Sequence, residues 1–169
     1  MKKYILLLPG AVFPYTLLFA LYCVFTGFLT DSLFNNNVLI LLFYLFLFFM
    51  VSLACNIIFF VLGICKNWNS RKISMANMII KCVQIPAYIL IFVLGIVFLF
   101  TIFTFGFSIF FVLFDCCAIF LTGLTGLCAV IRGYVDGKIS KSFFIVNGLL
   151  QFIFCADVIS AIIVFKKNK

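Results

Sequence analysis

The run Val38–Cys65 carries no charged residue from one end to the other. A helix needs roughly 20 apolar residues to cross the hydrocarbon of a bilayer, and this run is longer. Such a stretch has two fates, burial in a very large core or contact with lipid. The chain has only 169 residues, of which 67% are hydrophobic and 9% charged. A soluble domain of that size leaves too much surface facing water to hide them, so the solvent is lipid. The 26 phenylalanines, concentrated in the same runs, agree.

Five stretches reach membrane length: about Tyr4–Leu29, Val38–Cys65, Met75–Thr104, Phe107–Ile131 and Phe143–Phe165. The expected fold is an all-α membrane bundle of five spans forming a single domain over residues 1–169. Met1-Lys2-Lys3 before an apolar run imitates a signal peptide, but no small-x-small cleavage site follows. The run reads as an uncleaved first helix, kinked where Pro9 and Pro14 remove backbone donors. Thr30–Asn37, with Asp31 as its only charge, links the first two spans; near Phe105–Ser108 almost no loop remains, so the third and fourth spans form a tight hairpin.

Orientation follows from the bases. If five spans cross, Lys2, Lys3, Lys66, Arg71, Lys72, Arg132, Lys138 and Lys141 share one side, flanked by Tyr4, Trp68 and Tyr134. That side is cytoplasmic by the positive-inside rule, and so is the amino terminus. Lys166, Lys167 and Lys169 then fall on the other side. Either a short charged tail is translocated, or only four spans cross and the fifth segment does not.

A shift of 66 residues lays Lys66-x-Trp68 on Arg132-x-Tyr134 and Lys72-Ile73-Ser74 on Lys138-Ile139-Ser140. Lys81 then falls on Asn147, and Gln84 lies one place from Gln151. Each serine is placed to cap the helix after it. One reading is a tandem duplication, one helix plus two helical hairpins, in which the fifth segment matches the third and spans. The other is two cytoplasmic loops using the same interfacial pattern independently.

Polar residues in lipid-spanning helices need partners. Asn77, Lys81, Gln84 and Tyr88 share one helical face. They either line the cytoplasmic half of a cavity or bond neighbouring helices while Lys81 snorkels to the interface. Pro86 just beyond frees a carbonyl that can accept a bond. On the fourth span, Asp115, Ala118, Thr122, Gly123, Gly126 and Ala129 form a small-and-polar stripe suited to close helix packing. The fifth span carries Asn147, Gln151 and Cys155 on one face and Asp157 on another.

Folding the fourth and fifth spans about Asp136–Gly137 brings Asp115 and Asp157 to nearly one depth. Two acids there do not both ionise in low dielectric without a cation or a base. No base is expected so deep, since Lys81 lies nearer the cytoplasmic side. The pair is then either a cation or proton site, or two protonated acids each bonding a neighbouring helix for about 0.6 kcal/mol.

The same residues exclude other classes. A net charge of +8 in a soluble protein suggests nucleic acid, but here the bases sit in short clusters between apolar runs. Eight cysteines form no CxxC pair, so neither a disulfide framework nor a zinc site is implied, and adjacent Cys116–Cys117 read as packing residues. With no His and no Glu, zinc proteases and Ser–His hydrolases are excluded. Intramembrane aspartyl proteases set their acids in Tyr-Asp and Gly-x-Gly-Asp, whereas these acids follow Phe114 and Ala156. No catalytic residue and no cofactor is implied.

Asn77-Met78-Ile79-Ile80-Lys81, Gln84-Ile85-Pro86-Ala87-Tyr88 and Gln151 through Ser160 resemble an uncharacterised family of small bacterial multi-pass membrane proteins, over most of the chain. The resemblance implies a bacterial inner membrane and no mechanism. The expected function is a helix-packing accessory, interaction or immunity-type subunit whose partner, beyond lipid, is another membrane protein or a second copy. The alternative is a small cation- or proton-coupled channel or transporter using Asp115 and Asp157.

Overall fold

The computed structural model describes residues 2–26, 37–100 and 105–168. Their regular structure is helical throughout: a 3-10 turn at Lys2–Leu7, then α1 (Leu8–Thr26), α2 (Val38–Cys65), α3 (Ser70–Leu99), α4 (Phe105–Val135), α5 (Lys141–Leu150) and α6 (Ala156–Lys167). Four stretches are long and apolar enough to cross a membrane: Lys3–Thr26, Leu39–Cys65, Ser70–Leu99 and Phe105–Val135. Of these, α4 is the central one, with 50% of its most apolar window buried against 22% for α2.

The fifth stretch is not one continuous helix. Its limbs, α5 with 10 residues and α6 with 12, each reach only about half of the ~20 residues a span needs. Between them Gln151–Cys155 leaves the helix. The limbs fold against each other, with Ser160 Oγ donating to Asn147 Oδ1 at 2.9 Å. Lys138 Nζ, just before α5, donates to the carbonyl of Asn168, just after α6, at 2.9 Å. The hairpin therefore leaves and returns to the same end of the bundle. The five-span expectation and the spanning fifth segment of the duplication are not confirmed: four helices are long enough to span, the fifth stretch is a hairpin, and Lys166 and Lys167 lie toward the end of the bundle that carries Lys138.

Helix starts follow their caps. Asn37 accepts from Leu39 N at 2.9 Å at the head of α2; the rest of the Thr30–Asn37 link, Asp31 included, lies outside the described residues. Asn69 caps α3, accepting from Arg71 N at 3.0 Å and Lys72 N at 3.3 Å. Of the two serine caps expected from the echo, Ser140 takes the N-cap position and Ser74 does not. Ser74 sits inside α3 and donates to Ser70 O at 2.9 Å, while Ser140 stands at the N-cap of α5 without a side-chain bond.

The prolines are absorbed by side chains of other helices. Pro14 lies within α1 and has no N–H to give the carbonyl of Gly10, four residues back. Gln84 Nε2 donates to that carbonyl instead, at 2.8 Å. Pro86 in α3 likewise disturbs its preceding turn, where Tyr15 Oη donates to Val83 O at 2.5 Å. The carbonyl that Pro86 deprives is that of Cys82, so the bond falls on the neighbouring acceptor rather than on the freed one.

The α3–α4 pair packs most extensively, as its short connection requires. Ser108 Oγ donates to Gly95 O at 2.8 Å, and Phe98 lies 5.9 Å from Phe107 and 5.6 Å from Phe111 between ring centroids. Phe13 of α1 stacks on Phe114 of α4 at 4.4 Å, in the apolar cluster away from the basic end. A second cluster, around Phe59, Ile73 and Cys128, lies toward the bases.

Candidate functional site

Lys81 is completely buried, and its ammonium reaches inward rather than snorkelling. Nζ lies 2.5 Å from Asp157 Oδ2 and donates to Thr122 Oγ1 at 2.7 Å. Thr122 Oγ1 in turn donates to Ala118 O at 3.1 Å. Asp157 occupies the first turn of α6, where the helix dipole favours a carboxylate. Three elements thus meet on one ion pair, α3 giving the cation, α6 the anion and α4 the hydroxyl. Because Thr122 stands near the midpoint of α4, the pair lies deep in the bundle. The expectation that no base reaches Asp157 is overturned.

The remaining polar residues form a second chain of bonds beside this pair. Asn77 Nδ2 donates to Gln151 Oε1 at 3.2 Å, and Gln151 Nε2 to Ser160 Oγ at 2.9 Å. Ser160 completes the link to Asn147 on α5. Tyr88 Oη donates to Gln84 Oε1 at 2.9 Å, so the face Asn77–Lys81–Gln84–Tyr88 is buried along its whole length. Asn77, Lys81 and Gln84 bond groups on other elements, Tyr88 bonds Gln84 within α3, and the snorkelling of Lys81 that accompanied this expectation does not occur.

The stripe on α4 is a packing face, and its occupant is the chain's own hairpin. A Cβ at Gly126 would fall inside the Gln151 side chain, and one at Gly123 would meet Phe152 Cε1 at 2.6 Å. Further along, Gly133 faces Asn168, whose Nδ2 donates to Ala129 O at 3.4 Å. Ala118 and Ala129 are fully buried. Small residues here let a non-helical backbone lie against α4, the setting in which broken helices are tolerated at membrane depth. At the break, Cys155 adopts φ 61° and ψ −38° while Ala156 N donates to Phe154 O at 2.7 Å. That is a tight γ-turn in a region non-glycine residues avoid. Phe154 covers it, 6.1 Å from Tyr88 and 5.9 Å from Phe92.

Asp115 does not join Asp157. Thr122, level with Asp157, stands seven residues along α4 from Asp115, roughly 10 Å at ~1.5 Å per residue. The equal depth expected from a simple hairpin fails because the chain turns back before Asp157. Asp115 is 7% exposed, and its Oδ1 has no hydrogen-bond partner among the described residues.

Residues the sequence reading passed over complete the framework. Asn56 on α2 accepts from Thr125 Oγ1 at 3.1 Å and donates to Ser52 O at 2.9 Å. Arg132 staples the two basic loops, donating to Trp68 O at 3.0 Å, Asn67 Oδ1 at 2.8 Å and Asp136 Oδ1 at 2.7 Å. Arg132 and Trp68 were visible only as interfacial markers, and nothing in the residue pattern announced that they touch.

The arrangement can share one proton between Lys81 and Asp157, and it leaves the buried pair neutral overall and shielded from the lipid. A free cation reaches Asp157 only by displacing the ammonium. No family model, curated protein or solved structure matches this chain.

Proposed function

We propose that this chain is a helix-packing membrane subunit, acting by contact with another membrane protein or a second copy rather than by moving an ion. The observation that carries the reading is the ammonium of Lys81, 2.5 Å from Asp157, in the position a transported cation would need. The buried polar side chains of α3, α5 and α6 bond one another and groups on α1 and α4, and the small-residue stripe is occupied from within. The surface left for work is apolar, and most available on α2, where Phe43 and Phe46 point outward. Clustering of the bases at one end supports a cytoplasmic amino terminus.

Two measurements test this. A photo-crosslinker at Phe43 or Phe46 is expected to give one discrete product in native membranes; a smear of products equal to that from a scrambled position contradicts it. Purified protein in liposomes is expected to leave a pH gradient decaying as it does in empty vesicles. Decay that Asp115→Asn or Asp157→Asn abolishes establishes the second reading, proton-coupled transport, which the unpartnered Asp115 Oδ1 favours.

A further inference from the structure

The amino-terminal turn and α1 run beside the start of α3, both leaving the basic end in the same direction, and enclose a groove of about 550 Å³. Its polarity is graded. Lys3 and Lys72 stand at the basic end, and Leu8, Ala11, Met75 and Ile79 form its walls deeper in. Leu8, Met75 and Ile79 are about half exposed, so the groove opens sideways to the bilayer. Lys3 is held in place, with Nζ 4.2 Å from the Trp68 ring centroid. Lys72 lies in the first turn of α3, whose dipole adds positive potential at that end. No acid stands among the lining residues.

We propose that this groove binds an anionic phospholipid, its phosphate between Lys3 and Lys72 and one acyl chain along Leu8–Ala11 and Met75–Ile79. The occupant follows from charge complementarity over an apolar floor that water does not favour. A free phosphate uses only the two lysines, and a zwitterionic lipid gains little from them. Each lysine near the membrane surface is worth roughly a five-fold preference for an anionic headgroup, so the pair gives about thirty-fold. The site is independent of how the protein works, and differs from diffuse attraction of the basic face in having a defined floor.

Native mass spectrometry of the full chain, titrated with phosphatidylglycerol or phosphatidylcholine of the same acyl chains, tests the proposal. One phosphatidylglycerol is expected to be retained about thirty-fold better. Lys3→Gln/Lys72→Gln removes the preference, Lys72→Gln alone reduces it about five-fold, and Ala11→Trp lowers retention with both lysines intact. Lys66→Gln/Arg71→Gln, an equal charge loss outside the groove, leaves the preference in place. Equal retention of both lipids by the wild type, or equal loss in the two double variants, overturns it, as does a protein dimer that excludes the lipid. Lys72→Gln touches no internal bond, so its result stands even if Lys3→Gln unfolds the chain.

Discussion

α3 and the α5–α6 hairpin enter the bundle alike and diverge inside it. Each follows a short basic loop of matching pattern, and each carries an asparagine, Asn77 or Asn147, within its first eight residues. α3 runs through Pro86 as one helix of 30 residues, whereas the hairpin breaks at Gln151–Cys155, where neither Pro nor Gly stands. The neighbours account for the difference. Around α3, Tyr15 supplies a donor beside the disturbed turn, so the helix survives its proline. Around the hairpin, Gly123 and Gly126 on α4 make room for the break, and Lys81 draws Asp157 inward on the returning limb. In lipid a helix breaks where other groups receive the freed backbone, more than where a local breaker falls.

The ion pair between Lys81 and Asp157 is expected to give the largest effect on the hairpin. Asp157→Asn or Lys81→Met alone leaves an uncompensated buried charge and is expected to cost about 3–5 kcal/mol, read as thermal unfolding in detergent. The double change Lys81→Met/Asp157→Leu is expected to recover most of it. Singles that cost less than ~1 kcal/mol mean that the pair does not hold the hairpin.

Next comes the glycine floor. Gly126→Val is expected to cost about 1–3 kcal/mol by overpacking Gln151, raising amide exchange in 141–167 before it rises in α1. Gly106→Val, at a position with open space around it, is the matched control and is expected to change nothing measurable. Equal effects at the two glycines remove α4 from the explanation of the break.

Smaller effects test the α3 side. Gln84→Ala orphans the carbonyl of Gly10 and is expected to cost about 0.6 kcal/mol in chemical denaturation. Pro14→Ala in that background restores the missing N–H and is expected to return the loss. Cys155→Gly relieves the left-handed backbone and is expected to stabilise by about 0.5 kcal/mol; a loss instead shows that the Cys155 side chain matters more than its φ.

Much of this was legible in residue pattern. The face Asn77–Lys81–Gln84–Tyr88 and the α4 stripe are periodic features, and periodicity reports burial directly. The break was not, because nothing in Gln151-Phe152-Ile153-Phe154-Cys155 differs locally from a spanning helix. Its trace was indirect, in Lys166 and Lys167, which the positive-inside rule places on the wrong side of a fifth span. Counting depth along an unbroken helix then put Asp157 level with Asp115 and hid its pairing with Lys81. Asn56 and Ser160 escaped because a single polar residue on an apolar run has no pattern to announce its partner.

A pair of topology reporters, one ahead of Met1 and one after Lys169, tests in intact cells whether the chain returns after α5 to the end it came from. Both are expected to report the same side of the membrane. Reporters on opposite sides would mean that the fifth segment crosses, and that the Lys138–Asn168 bond and the hairpin built on it are not present in the membrane.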